Sequence, residues 1–375
     1  MADFQIKDLT TNASPALTDV MAEDNASNVT YKSTKQKLFD LISSLAAITS
    51  ATAASDTMAV NISGTTSKMT LLNVIKNMVA PSTSGNVLTS DGTNWTSAAA
   101  AGYPMEARLT LETGVAISTT DQTAKTTLYL TKYKGDRIAV YNGSSAWSTI
   151  ALGADISITL ASLTAALPYD VFVYSNAGTL TLELTAWTNI TTRATALTTQ
   201  NGVYVKTGAT TRRYLGTICI TATTGQCEDS LTKRLVWNYY NRLLRPVKIL
   251  ETTNSWQYGT ATWRSANNST ANRIATITGV AEDFINLIVI TCSANSGTSG
   301  RQAGIGIDAT NANNAVNTSI SSTAYASLMA KLTAQALLGY HFYQWTERGE
   351  GDTTTWLGDA GGTDISSGMT GETFA

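Results

Sequence analysis

The sequence predicts a mainly β protein: a small α+β repeat region at the N-terminus, followed by two antiparallel β-sandwich domains of jelly-roll-like type. Three observations predict it. From Met105 onward, short runs rich in β-branched and aromatic residues recur at close spacing between Gly- and Asn-containing turns, the pattern of sandwiches and barrels. Only 14% of the 375 residues are charged, and Thr, Ser, Ala, Asn and Gly fill the gap, which suits polar pleated surfaces rather than charge-rich disorder. Near the start, residues 19–42 and 56–78 repeat one pattern, with Asp19 and Met21 falling on Asp56 and Met58.

Each repeat reads as a short strand, a polar turn, a second strand and a helix. After a one-residue shift, Leu38, Phe39 and Ile42 of the first unit fall on Val74, Ile75 and Met78 of the second. Leu38, Leu41, Ile42, Leu45 and Ile48 follow three-and-four spacing, which predicts a helix over 34–48 with Thr34 as its N-cap. The second helix is predicted over 70–79, stopped by Pro81. Units this small bury little core alone, so residues 1–80 are expected to pack on each other or on sister chains and to serve in docking.

Residues 81–104 read as a linker that holds a miniature hairpin, with Asp91-Gly92 as its turn. A lone hairpin is marginal in water, so the same hairpin on sister chains is its expected support. The first β-domain spans 105–245. Its strands include R-L-T-L-E, T-T-L-Y-L-T, R-I-A-V-Y, I-S-I-T-L, Y-D-V-F-V-Y, T-L-T-L-E-L-T-A-W, G-V-Y-V-K and Y-L-G-T-I-C-I, and Asn142-Gly143 signals a two-residue hairpin turn. Residues 228–250, denser in charge and bulky apolar groups, read as the connector, with Arg245-Pro246 at the boundary. The second domain spans 246–375. There F-I-N-L-I-V-I is apolar on both faces and is predicted to be a central strand, while residues 321–333 fit either a short helix or a strand with a loop.

The formal net charge is −2, and the nearest approach to a basic stripe is Lys233-Arg234 with Arg242 and Arg245, so no nucleic-acid partner is expected. No run is long and apolar enough to insert in a membrane, and the first residues lack a secretion signal. Folding in a cytosol is the expectation, with Cys219, Cys227 and Cys292 as reduced thiols.

Chemistry is thinly represented. His341 is the single histidine, with no nucleophile motif beside it. One histidine and three scattered cysteines make no zinc set. Acidic loop positions near Asp352, Asp359 and Asp364 do not follow the EF-hand spacing. Glu228-Asp229 and Glu282-Asp283 are adjacent pairs, and on strands such neighbours point to opposite faces. Neither enzyme activity nor a cofactor is expected. The polar loops Ser293 to Gly300 and Asp308 to Asn314 carry the candidate ligand contacts Asn295, Thr298, Asn311 and Asn313.

The opening F-Q-I-K-D-L-T, the turn and helix start I-S-G-T-T-S-K-M-T (Ile62 to Thr70) and the piece S-G-N-V-L-T-S-D-G-T-N-W-T (Ser84 to Thr96) resemble anchoring and shaft segments of bacteriophage tail-fibre and other virion appendage proteins. Tyr133 to Asn142, Trp187 to Arg213 and Thr232 to Arg242 resemble a widespread phage structural family. The first repeat departs from the pattern, having A-S-N-V-T-Y-K where the second has the G-T-T-x-K turn. The resemblance implies a homotrimeric fibre, made in the host cytoplasm and displayed on the virion. Other virion proteins would then meet Met21, Leu38, Phe39, Ile42, Met58, Val74, Ile75 and Met78, and a host-surface glycan or protein would meet the β-domains. A head fibre or capsid-decoration protein is the alternative; a polysaccharide depolymerase spike is a second.

Overall fold

The computed structural model describes residues 102–362 and 365–375, and before them the backbone of three hairpins. The chain divides into two units, Met1–Ala101 and Gly102–Ala375. In the first, Met21–Asp24 pairs with Thr30–Ser33, Thr57–Ile62 with Thr65–Thr70, and Asn86–Ser90 with Trp95–Ala99, all antiparallel. Met21 and Met58 lie on these strands. Thr70 ends a strand instead of opening a helix. The expected helix over 34–48, and the remainder of the one expected over 70–79, lie outside the described residues, and with them Leu38, Phe39, Ile42, Val74, Ile75 and Met78.

The second unit is mainly β, built of several antiparallel sheets. Its one helical element among the described residues is the 3-10 turn Ala266–Asn268. No helix among those residues is long and apolar enough to cross a membrane. A six-stranded sheet runs in the order Thr179–Ala186, Pro168–Asn176, Ala209–Cys219, Val203–Lys206, Leu197–Gln200, with Val236–Asn238 also on Ala209–Cys219. Together with strands Ala107–Thr110, Thr127–Lys132 and Arg137–Tyr141 it buries the first core, which includes Leu128, Leu130, Ile138, Val171, Val173, Tyr214, Ile218 and Trp237.

A second core lies among strands of an eight-stranded and a seven-stranded sheet. Ile274, Ile305, Tyr343 and Trp345 come from the former; Ile285, Leu287, Val289, Leu328, Trp356 and Met369 come from the latter. The eight-stranded sheet also takes in Gln122–Lys125, Cys227–Asp229 and Lys233–Arg234, so it draws strands from both sides of the expected boundary. One of its joints is parallel, Lys233–Arg234 against Arg273–Thr278.

Several expectations are corrected by this pairing. The boundary at Arg245-Pro246 falls inside strand Leu244–Leu250, which pairs along its whole length with Gly368–Phe374. Pro246 is tolerated because this is an edge strand, where a missing N–H breaks no inner ladder. The linker ends before residue 104: buried Arg213 donates to the carbonyls of Tyr103 and Pro104 at 2.8 and 2.9 Å and fixes them to the fold. The Asn142-Gly143 loop has five residues between strands ending at Tyr141 and starting at Trp147. The Asn142 side chain closes it by accepting from the backbone N–H groups of Ser144, Ser145 and Ala146 at 2.9–3.1 Å.

Phe284–Asn295 is central, flanked by Ala326–Gln335 and Gly368–Phe374, but it is buried on one face alone. Ile285, Leu287 and Val289 face the core, while Ile290 on the other face is 50% exposed. Residues 326–335 are a strand, with Leu328, Ala330 and Leu332 inward and Ser327, Met329 and Lys331 outward. That period of two is the arrangement a one-sided sheet requires.

Candidate functional site

The site is built around a buried carboxylate. Asp170, on strand Pro168–Asn176, is 2% exposed. It accepts from Arg193 Nε at 2.7 Å and Nη2 at 3.2 Å, and from Thr217 Oγ1 at 2.7 Å. Thr217 in turn shares a hydrogen bond of 2.6 Å with the Tyr214 hydroxyl. Burial pushes the Asp170 carboxyl above its ordinary value, and Arg193 pulls the other way. Arg193 also donates to the Gly279 carbonyl and lies over the Trp187 ring, 4.6 Å from its centroid.

Arg193 is held by a loop between strands Thr179–Ala186 and Leu197–Gln200. Thr188 N–H donates to the Thr192 carbonyl at 2.9 Å, and Ile190 accepts from Tyr340 N–H at 2.8 Å. The loop passes so close to Gly339 that a Cβ there would stand 2.4 Å from the Ile190 oxygen, and Gly339 has φ +103°; both demand glycine. Around Arg193 opens a groove of about 420 Å³ lined by Thr191, Thr192, Ala196, Leu197, Tyr204, Val280 and Leu338. The loop, the strand Val203–Lys206, the turn after Arg273–Thr278 and the segment before Gly339–Gly349 thus meet at one place.

The ligand contacts expected from sequence are divided by the structure. Asn295 is buried; its amide donates to the Ser299 carbonyl and its oxygen accepts from Thr354 Oγ1. Asn313 accepts from Ile305 and Ala315 N–H at 3.0 Å each. Both amides hold their own loops. Thr298 and Asn311 are exposed. Gly306 explains the tight packing here, since a Cβ would come within 2.3 Å of the Ala309 oxygen.

The ionisable pairs are also engaged with the fold. Arg242 binds both Glu282 and Asp283, which lie in a turn where neighbouring side chains reach the same partner, not on a strand as expected. Glu228 meets Lys233 at 2.8 Å and Asp229 meets Arg234 at 2.8 Å. His341 has both ring nitrogens occupied, Nδ1 by Asp308 at 2.6 Å and Nε2 by the Leu338 carbonyl at 3.1 Å. Among the described residues no three His, Cys, Asp or Glu converge as a metal site would need. The three cysteines are free; burial pushes the Cys219 thiol up to about 12.

Sequence reasoning did not single out Arg193, Thr192 or Tyr204. The one local signal is a lone arginine among threonines, T-T-R-A-T, within the stretch Trp187 to Arg213.

No family model and no curated protein matches the chain. Among solved structures it is similar to the insecticidal delta-endotoxin Cry8Ea1 of Bacillus thuringiensis, at 7% identity and a TM-score of 0.22, covering 86% of this chain and 59% of that one. It is also similar to a Bacillus thuringiensis Cry1Da tryptic core variant, at 6% identity and a TM-score of 0.14, covering 68% and 53%. The chain therefore spans less than two thirds of the length of these proteins.

Proposed function

We propose that the protein is a structural component of a bacteriophage particle, a homotrimeric tail-fibre protein that attaches the particle to the host surface. Its N-terminal repeats dock on other virion proteins. Its two jelly-roll-like sandwiches, joined by the shared sheet, are displayed to bind a host glycan or protein without turning it over. The observation that carries this reading is the division of the chain at 101/102 into a small region of hairpins and a compact β unit. The resemblance of residues 62–70 and 84–96 to fibre anchoring and shaft segments supports the same polarity. Attachment is then multivalent, with weak sites on one particle adding to firm binding.

A reporter fused to residues 1–104 should enter particles that lack the native protein, and residues 105–375 alone should not. The opposite result would reverse the polarity. Electron microscopy of gold-labelled fusions places the chain on tail or head, and a head location would mean the capsid-decoration alternative.

The trimer has a surface suited to it. On the outer face of the seven-stranded sheet, Ile290 pairs across from Met329, and Val316 is 83% exposed. Phe284 meets Phe374 edge-on at 5.4 Å beside exposed Leu244. Lys248, Lys331 and Glu372 stand at outward positions of the same sheet, giving sister copies opposite charges to exchange. Light scattering should return three times the chain mass, and Ile290→Lys should shift the mass toward the monomer at micromolar concentration. A wild-type monomer would remove the trimeric reading.

A further inference from the structure

We infer that the groove around Arg193 is a binding site for a neutral sugar, one or two pyranose rings of a surface glycan; its biological role rests on the attachment reading above. Three polar groups of its lining residues are unclaimed. Among the described residues, Arg193 Nη1, Thr192 Oγ1 and the Tyr204 hydroxyl make no hydrogen bond, whereas the other Arg193 nitrogens are committed to Asp170, Tyr214 and the Gly279 carbonyl.

Beside them stand Leu197, Val280 and Leu338, the last 37% exposed, and the half-buried Tyr204 ring. A pyranose presents this same mixture: hydroxyls around its rim and a patch of C–H on its face. Hydroxyls match the free donors and acceptors, and the C–H face matches the apolar wall. The Tyr204 ring is braced edge-on by Tyr239 at 5.1 Å, so it offers a fixed surface at little entropic cost.

Charge selects among sugars. Arg193 is the sole charged side chain lining the groove among the described residues, and its charge is matched by Asp170 at 2.7 Å beneath it. The wall therefore has no net charge to offer a carboxylate or phosphate. Arg193 acts here as a rigid donor held in place by its partner. An acidic sugar would be drawn onto an already neutralised cation, and a neutral one loses nothing by comparison.

The test uses the full-length protein and calorimetric titration against neutral tetraoses of glucose, galactose and mannose, and against sialic-acid- and uronic-acid-bearing counterparts. At least one neutral tetraose is expected to bind, on the order of 1 mM for a single site. Leu338→Trp, which adds bulk at the groove wall, should weaken it at least about tenfold, and Tyr204→Ala likewise. Thr192→Val should weaken it about fivefold. Urea midpoints equal to wild type show that each variant is folded. Absence of binding by every neutral sugar, binding of acidic sugars alone, or binding that survives Leu338→Trp would each overturn the inference. A 1–104 fusion that enters particles while no sugar binds refutes the groove alone. Sugar binding in the groove with a fusion that stays free refutes the attachment reading alone.

Discussion

Replacing Asp170 with alanine should lower the stability of the 102–375 unit by roughly 3–5 kcal/mol, the usual consequence of stranding one member of a buried ion pair. Asp170 is 2% exposed, and Arg193, its partner, has a side chain 13% exposed. Without the carboxylate the guanidinium keeps a charge it cannot fully return to water. Thr217 also loses an acceptor at 2.7 Å, and the Tyr214 hydroxyl that bonds to Thr217 sits in the first core. The loss is therefore electrostatic and spreads through a hydrogen-bond chain. Asp170→Asn keeps the shape and one acceptor and should cost less. The double change Asp170→Ala with Arg193→Met should recover part of the loss, because it removes the unpaired charge. Urea unfolding of the four proteins decides it. A single-mutant loss under about 1 kcal/mol, or a double mutant no better than the single, would mean that the pair does not hold this corner of the fold.

A second large effect concerns pH. Glu347 lies at the second core with its side chain 0% exposed. It accepts from Trp256 Nε1 at 2.6 Å and from Arg264 Nε at 2.9 Å, and Arg264 is stacked 3.7 Å above the Tyr258 ring centroid. Burial outweighs these partners and pushes its carboxyl up to about 7, from an ordinary 4.5. Between those values the folded protein holds a proton that the unfolded chain has released. Stability from this group is thus complete below about pH 4.5 and is lost as pH rises toward and through 7. The difference is on the order of 3 kcal/mol. Glu251 acts in the opposite sense. Burial pushes it up, but hydrogen bonds from Asn272, Thr253 and Asn267 outweigh that and hold its carboxyl below the usual value. Its contribution is present above about 4.5 and is lost as pH falls further. Melting temperature should therefore decline from pH 5 to pH 8 in the wild type, and Glu347→Gln should flatten that decline. An equal decline in the variant would assign the pH dependence to other groups.

How far these features were legible differs from one to the next. The strands of 105–375 could be read because alternation is local: R-I-A-V-Y at 137–141 and G-V-Y-V-K near 203–206 carry their period in a few residues. The Asn142-Gly143 turn was legible as a turn but not in its length, since the side-chain cap over 144–146 depends on where the next strand begins. Asn295 and Asn313 looked like surface groups because their loops are polar; both spend their amides on the backbone of their own loops, and polarity alone does not tell such a use from a free surface amide.

By itself the sequence determined that the chain is mainly β and where most strands of 105–375 lie. Only the tertiary structure decided which strands share a sheet. Gln122–Lys125, Lys233–Arg234 and Gly300–Ile307 belong to one sheet although long stretches of chain separate them. It likewise brought Thr192, Arg193 and Tyr204 to Val280 and Leu338, and set Asp170 beneath them. The physical reason is one of range. Alternation and turn chemistry act between neighbours along the chain, whereas sheet order, ion pairing and groove walls are contacts across it, settled by which faces can be buried together.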